Sequence, residues 1–454
     1  MRFSDWRGQP PPSMMYQTLL PILCAWFMAL NAMAACPSQR TALLAPSAAS
    51  GSDETLAPPF TPKVFIISMF KPEADVWYRN LPDSGLGNLT ARSLFVAGLS
   101  MKYPLVHCTS AGDICQATLG EGEINAAASI SALLLSPQFA LSSTYFLLAG
   151  IAGVNPNHST LGGVALARFA VQAALQYEID ARSVPPGWAT GYFALGTQKP
   201  FEYPAIAYGT EVFELNTDLR DVAYALASVA NLTDAKGPRE YGGRYNVTSD
   251  GKVGATAAMG TPTVVRCDST TSDVYFSGKV LAEAFERTTS VWTNGTGVYC
   301  MTAQEDNACL EVMVRAAIEK RVDFSRIILM RTGSNFDRPP PGVTDWEHLA
   351  VLDQNGFEIA IENIYRAGML IVHGIIVGWD ETFDKGIPAK NYIGDILGSL
   401  GGQPDFGLGS ITGGRGVSLG GVDGNTGQGG YESHVERRGR SRSRRSRQGG
   451  RVMR

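Results

Sequence analysis

Three stretches of this chain are apolar at nearly every consecutive position: residues 63–69 (KVFIISM), 143–148 (STYFLL) and 326–330 (RIILM). A strand with one face in water alternates apolar and polar residues. A strand that is apolar throughout must be covered on both faces. Each run is followed by a small or polar stretch, and segments of helical spacing lie between and after them. These are 122–134 (GEINAAASISALL), 218–230, 305–320 and 356–382. Buried strands alternating with helices predict an α/β fold whose sheet is covered by helices on both sides. No internal repeat is evident.

The folded part is expected to span 62–400. Beyond it, 401–430 is Gly-rich and 437–447 reads RRGRSRSRRSR. Neither stretch holds enough apolar surface to offset the entropy of ordering it, so 401–454 is read as a disordered tail. At the other end, Arg2 and Arg7 precede an apolar run at 19–30 (LLPILCAWFMAL), with Ala32-Met33-Ala34 supplying small residues for cleavage. Residues 1–34 are therefore read as a signal peptide, with an uncleaved membrane anchor as the alternative. Residues 35–61, rich in Ser, Ala and Pro, are read as a linker.

The expected location is secreted or cell-surface. Five N-x-S/T sequons, at Asn88, Asn157, Asn231, Asn246 and Asn294, agree with export. Once Cys24 leaves with the leader, Cys36, Cys108, Cys115, Cys267, Cys300 and Cys309 remain for an oxidising compartment. The turn-like stretch between Cys108 and Cys115 pairs those two. Cysteine spacing and scattered histidines indicate no metal site.

The net charge of −4 joins two unlike pieces. Residues 435–454 hold nine Arg and one Glu, so the remainder carries −12. An acidic body excludes a specific nucleic-acid binder. The basic tail is read as a solvated extension, with contact to anionic cell-wall polymer, membrane lipid or nucleic acid as the alternative. The apolar stretch at 356–382 contains Glu362, Arg366 and His373 and is read as a core helix. A carrier built by this chain alone is not expected, because transporters set their site among several spanning helices.

In open α/β sheets, ligands bind at the carboxyl ends of strands. Four segments fall there: 68–73 (SMFKPE), 149–156 (AGIAGVNP), 301–308 (MTAQEDNA) and 330–337 (MRTGSNFD). Taken singly, each has a plain reading. The AGIAG stretch can be a tight strand-to-helix turn. Glu73 can be an ordinary first-turn acid, and Glu305 with Asp306 can complement a helix dipole. Together they gather backbone N–H donors, a diol-accepting carboxylate and a polar amide at one sheet edge.

Four further groups of residues carry a family resemblance. They are 209–216 (GTEVFELN), Arg266-Cys267-Asp268 with 273–278 (DVYFSG), 302–308 (TAQEDNA) and 331–342 (RTGSNFDRPPPG). Across 62–400 the chain resembles the fungal purine nucleoside permease family. That family is related in fold to nucleoside phosphorylases and nucleosidases. The relation is visible at 120–127 (GEGEINAA), which is similar to their Gly-x-Gly-Lys-Val-Asn-Ala-Ala stretch.

The resemblance implies a three-layer nucleoside phosphorylase-like fold, a mixed central sheet flanked by helices, with purine nucleosides as ligands. Gln304 and Glu305 resemble a Met-Glu pair whose Glu accepts the ribose hydroxyls, which suits an acceptor-only carboxylate. Ser334 and Asn335 resemble a Ser-Asp pair at the purine edge. Asn335 departs from the pattern, because an amide can donate to N7 but cannot give up a proton. Asp337 is the substitute acid, unless it is an ion-pair partner of Arg338 or Arg331. Phe213 is placed to stack on the base, or else in the core. Asp273 and Ser277 would position the base, and Gly150, Ala152 and Gly153 would face the ribose.

For the attacking group, Glu73 resembles the water-positioning Glu of nucleosidases, offset by one residue. Inorganic phosphate is the alternative co-substrate, and no other cofactor is implied. Lys71 without a Gly-x-x-x-Arg pattern puts hydrolysis ahead of phosphorolysis. Two functions stay open: cleavage of the N-glycosidic bond, or catalytically silent nucleoside binding in an uptake system. A homo-oligomer is a family-level expectation.

Overall fold

In the computed structural model, which describes residues 58–246, 254–404 and 406 together with the backbone of 418–419, the first apolar run forms strand β1, Val64–Ser68, buried at every position. Its side chains alternate between two cores. Phe65 and Ile67 face one, built with helices α2 (Glu123–Leu135) and α5 (Asp306–Ile318). Val64 and Ile66 face the other, built with α1 (Lys71–Asn80), α3 (Thr217–Ala227) and α6 (Phe357–Val377). This division makes three layers, with the sheet in the middle, as expected.

The sheet has thirteen strands and is mixed. After β1 come β2 (Arg92–Phe95), β3 (Leu105–Cys108), β4 (Ile114–Thr118), β5 (Tyr145–Val154), β6 (Val164–Leu166) and β7 (Phe169–Gln172). They are followed by β8 (Val212–Glu214), β9 (Val264–Arg266), β10 (Asp268–Thr271), β11 (Tyr299–Ala303), β12 (Ile327–Phe336) and β13 (Gly394–Asp395). The main path runs β13-β8-β7-β10-β11-β5-β1-β4-β3-β2, with β12 against β5 and β6, and β9 against β6. Between β10 and β11 lies helix α4, Lys279–Trp292.

Two expected loops are strand instead. β5 runs through AGIAG to Val154, which excludes the turn there, and β12 likewise runs on to Phe336. The reason is partnering. Where the pairing of β1 with β5 ends, at Ile67↔Leu148, β12 still follows β5 in parallel and β11 joins it antiparallel at Val154 and Gly153. A bulge between Gly333 and Asn335 bends β12 beside its end. The glycines serve close approach rather than a turn. A Cβ on Gly150 would sit 2.5 Å from Arg331 Nη1, and one on Gly153 would sit 2.2 Å from Thr302 Oγ1.

The predicted helix over 356–382 is α6 followed by a π-turn, Trp379–Phe383. Among the described residues it alone is long and apolar enough to cross a membrane. It packs on β5, β12 and α1, burying ten residues between Ile359 and Ile375. Disulfides join Cys108 to Cys115, as expected, and Cys267 to Cys300. Cys309 is a buried thiol. Packing continues past residue 400, where Phe406 meets Phe169 edge-on at 5.6 Å. The signal peptide, Cys36, most of the linker and nearly all of the Gly/Arg tail lie outside the described residues.

Candidate functional site

A cavity of about 350 Å³ opens at the ends of β1, β5, β11 and β12. All four sequence segments reach it. The first supplies Met69, Phe70 and Glu73; the second Ile151, Ala152 and Gly153. The third supplies Thr302, Ala303, Gln304 and Glu305; the fourth Arg331, Ser334 and Asn335.

Glu73 enters from the first turn of α1, behind Pro72, and is 1% exposed. Its Oε2 accepts the Met69 amide at 2.7 Å and its Oε1 accepts the Ile151 amide at 2.7 Å. Burial pushes its carboxyl up to about 7, with Glu305 adding to the rise; Arg331 and the two amides oppose it. Glu73 therefore changes charge near neutral pH.

Arg331 is the charged centre of the site. It is 2% exposed, directly after the buried apolar run 327–330 of β12. Nη2 donates to Glu305 Oε2 at 3.1 Å, Nε to Asp306 Oδ1 at 3.1 Å and Nη1 to the Ile151 carbonyl at 3.0 Å. Those neighbouring carboxylates hold its own pKa well above the usual arginine value, against burial. Glu305 also accepts the Gly122 amide at 3.1 Å, tying the GEGEINAA stretch to the cavity wall. Gln304 to Asn307 tie β12, the end of β10 and the loops at Asp273 and Thr210 to one another. Gln304 donates to the Asp273 carbonyl, Glu305 and Asp306 hold Arg331, and Asn307 bonds Thr271 and the Thr210 carbonyl.

At the far wall, the single Ser334 hydroxyl proton has two acceptors in reach, the Ala152 carbonyl at 3.1 Å and Asn335 Oδ1 at 2.9 Å. The Asn335 amide donates to the Phe336 carbonyl at 3.3 Å, and Tyr275 lines the same cavity. Among the described residues no group of three or more His, Cys, Asp or Glu is arranged to hold a metal ion.

Five predicted residues do not line the cavity. Phe213 is fully buried in the core, on β8 between β7 and β13, so it cannot stack on a ligand. Asp337 is spent on a bidentate pair with Arg338, 2.9 Å on each side, and accepts the Tyr299 hydroxyl at 2.7 Å. Its ion-pair reading therefore replaces the substitute-acid reading. Asp273 Oδ1 accepts the Glu123 amide at 2.9 Å and so finishes the start of α2. Ser277 bonds the Asp337 carbonyl at 3.5 Å, and Gly150 sits beneath Arg331 and Glu73 rather than facing the cavity.

The lining also holds four aromatics that the sequence reading missed: Phe70, Tyr275, Phe276 and Phe357. Tyr275 is 57% exposed at the mouth, and Phe70 and Phe357 have ring centroids 6.2 Å apart. Nothing in their local sequence separates them from core aromatics. Arg331 did carry a signal, being a charge at the end of an apolar strand run, which must find partners.

The stretch 61–388 matches the family described as purine nucleoside permease (NUP). The chain belongs to the purine nucleoside permease family. It is 47% identical over 354 residues to a purine nucleoside permease of Candida albicans, covering 77% of this chain and 84% of that one. Over 328 residues it is 38% identical to a "Probable purine nucleoside permease" of Schizosaccharomyces pombe, covering 70% of this chain and 90% of that one. Among solved structures it is similar to the 5′-methylthioadenosine/S-adenosylhomocysteine nucleosidase from Helicobacter pylori, at TM-score 0.41 and 11% identity. That match covers 69% of this chain and 99% of the other. The family resemblance carried by GTEVFELN, TAQEDNA and RTGSNFDRPPPG is thereby established for the matched span.

Proposed function

We propose that this permease-family chain binds purine nucleosides in the cavity and cleaves their N-glycosidic bond with water, at or near the cell surface, so that uptake handles the free base. One observation carries the reading: a buried carboxylate, Glu73, that titrates to about 7 at the wall of a nucleoside-sized cavity. Above that pH Glu73 takes a proton from water as the water attacks the anomeric carbon. Glu305 accepts the ribose hydroxyls. Both carboxylates favour the positive charge that builds on the sugar as the base departs. The Asn335 amide donates a hydrogen bond to the departing purine.

Phosphorolysis is the weaker reading. A phosphate dianion needs N–H donors and positive charge. Arg331 is the one Lys or Arg among the described lining residues, and it is already engaged with Glu305, Asp306 and the Ile151 carbonyl. The second reading is a silent nucleoside-binding component of a transport system, favoured by the amide at Asn335 where an acid would protonate the base.

Incubating the purified protein with inosine, adenosine or guanosine, with and without phosphate, separates these readings. Free base without phosphate supports hydrolysis, and phosphate dependence supports phosphorolysis. Saturable nucleoside binding with no product overturns the enzyme reading in favour of the second.

A further inference from the structure

Asp306 is fully buried and touches the guanidinium, yet the proposed reaction gives it no role. It stands at the first position of α5, directly after Glu305. Arg331 Nε lies 3.1 and 3.3 Å from its two oxygens, and Nη2 also donates to it. The Ser269 hydroxyl donates to Asp306 Oδ2 at 2.5 Å. One guanidinium therefore meets two carboxylates from successive residues: Asp306 across Nε and Nη2, and Glu305 at Nη2. Burying so many ions is costly unless their geometry is used, since an apolar filling is often at least as stable.

We propose that Asp306 is a positioning residue. By gripping Nε and Nη2 it fixes the guanidinium so that Nη1 reaches the Ile151 carbonyl and Nη2 also reaches Glu305, and by neutralising Arg331 it keeps that charge from locking Glu73 as a permanent anion. This rests on the reading of Glu73 as the base. The charged groups facing Glu73 are Arg331 from β12 and Glu305 at the end of β11. On its own helix, Lys71 and Asp75 pair with each other toward solvent, and from β1 and β5 it receives only the Met69 and Ile151 amides. Removing the Asp306 charge leaves Arg331 uncompensated, which favours ionised Glu73 and lowers its titration midpoint.

The test compares wild type, Asp306→Asn and Asp306→Glu by difference infrared spectroscopy against pH. Glu73 is followed through the protonated-carboxyl band that Glu73→Gln removes, with the pH–rate profile measured beside it. Asp306→Asn is expected to lower the Glu73 midpoint by about one pH unit, a tenfold change in its acid constant. Asp306→Glu is expected to restore it. A folded Asp306→Asn protein whose midpoint is unchanged or raised overturns the proposal. If Asp306→Asn does not fold, Ser269→Ala decides. Cutting the hydroxyl donor leaves the Asp306 charge in place and loosens only its aim, so the Glu73 midpoint should stay near the wild-type value while the pH-independent rate falls, and a wild-type rate with Ser269→Ala overturns the positioning role. Should wild type cleave no nucleoside, the hydrolase reading fails, while the infrared midpoints still judge Asp306.

Discussion

The Ile151 amide donates to Glu73 Oε1 at 2.7 Å, joining two residues 78 positions apart. The Ile151 carbonyl accepts from Arg331 Nη1 at 3.0 Å. Strand β1 stops pairing with β5 at Leu148, three residues before Ile151. Side chains take over the strand edge that β1 leaves open, so the ladder's unpaired groups are satisfied and two ionisable residues are fixed over one backbone unit.

Glu73 makes stability depend on pH. Its folded-state carboxyl, near 7, lies above the unfolded value of 4.5, so the folded chain holds an extra proton between them. Stability is full below pH 4.5, falls as pH rises toward 7 and levels off beyond, a loss of about 3 kcal/mol from this group. Glu73→Gln should flatten that slope in urea unfolding across pH 4.5–8; an unaltered slope removes Glu73 as its source.

The same group is predicted to set the pH profile of the proposed hydrolysis. Hydrolysis should rise with pH around a midpoint near 7, and Glu73→Gln should lose about 10²–10⁴-fold in kcat while nucleoside affinity measured by calorimetry stays within a few-fold. Turnover that survives the substitution takes Glu73 out of the mechanism.

Glu305 is predicted to read the ribose diol. Glu305→Ala should weaken nucleoside binding by roughly 10–100-fold, the value of a hydrogen bond to a charged acceptor. Wild type should in turn bind 2′-deoxynucleosides less well. Equal binding of ribo- and deoxynucleosides by wild type would contradict this role.

Aromatic contact with the base is predicted at the cavity mouth, where Tyr275 lies, rather than on β8, where Phe213 is buried. Tyr275→Ala should lower nucleoside affinity several-fold with little change in Tm, since the ring is half exposed. Phe213→Ala should cost about 3–5 kcal/mol of stability through a core cavity, leaving the affinity of the folded fraction unchanged. The opposite pattern would return the stacking role to Phe213.

Each apolar run in the sequence carried its own two-faced burial, so the strands, the three layers and the alternation with helices were legible locally. The four segments at strand ends were legible too, because polar and glycine residues directly after a buried strand have few other uses. Glu73, Gln304, Glu305, Ser334 and Asn335 all reach the cavity from them. What a side chain meets across the sheet was not legible. Phe213 and Tyr275 are both aromatics in short polar-flanked stretches, and only the packing puts one in the core and the other at the mouth. Asp337 turned to Arg338, its immediate neighbour, whereas Asp306 found Arg331, 25 positions away. Local sequence determined which residues could be buried or charged. The tertiary structure decided which charges meet, because burial makes every buried ion depend on partners that distant strands supply.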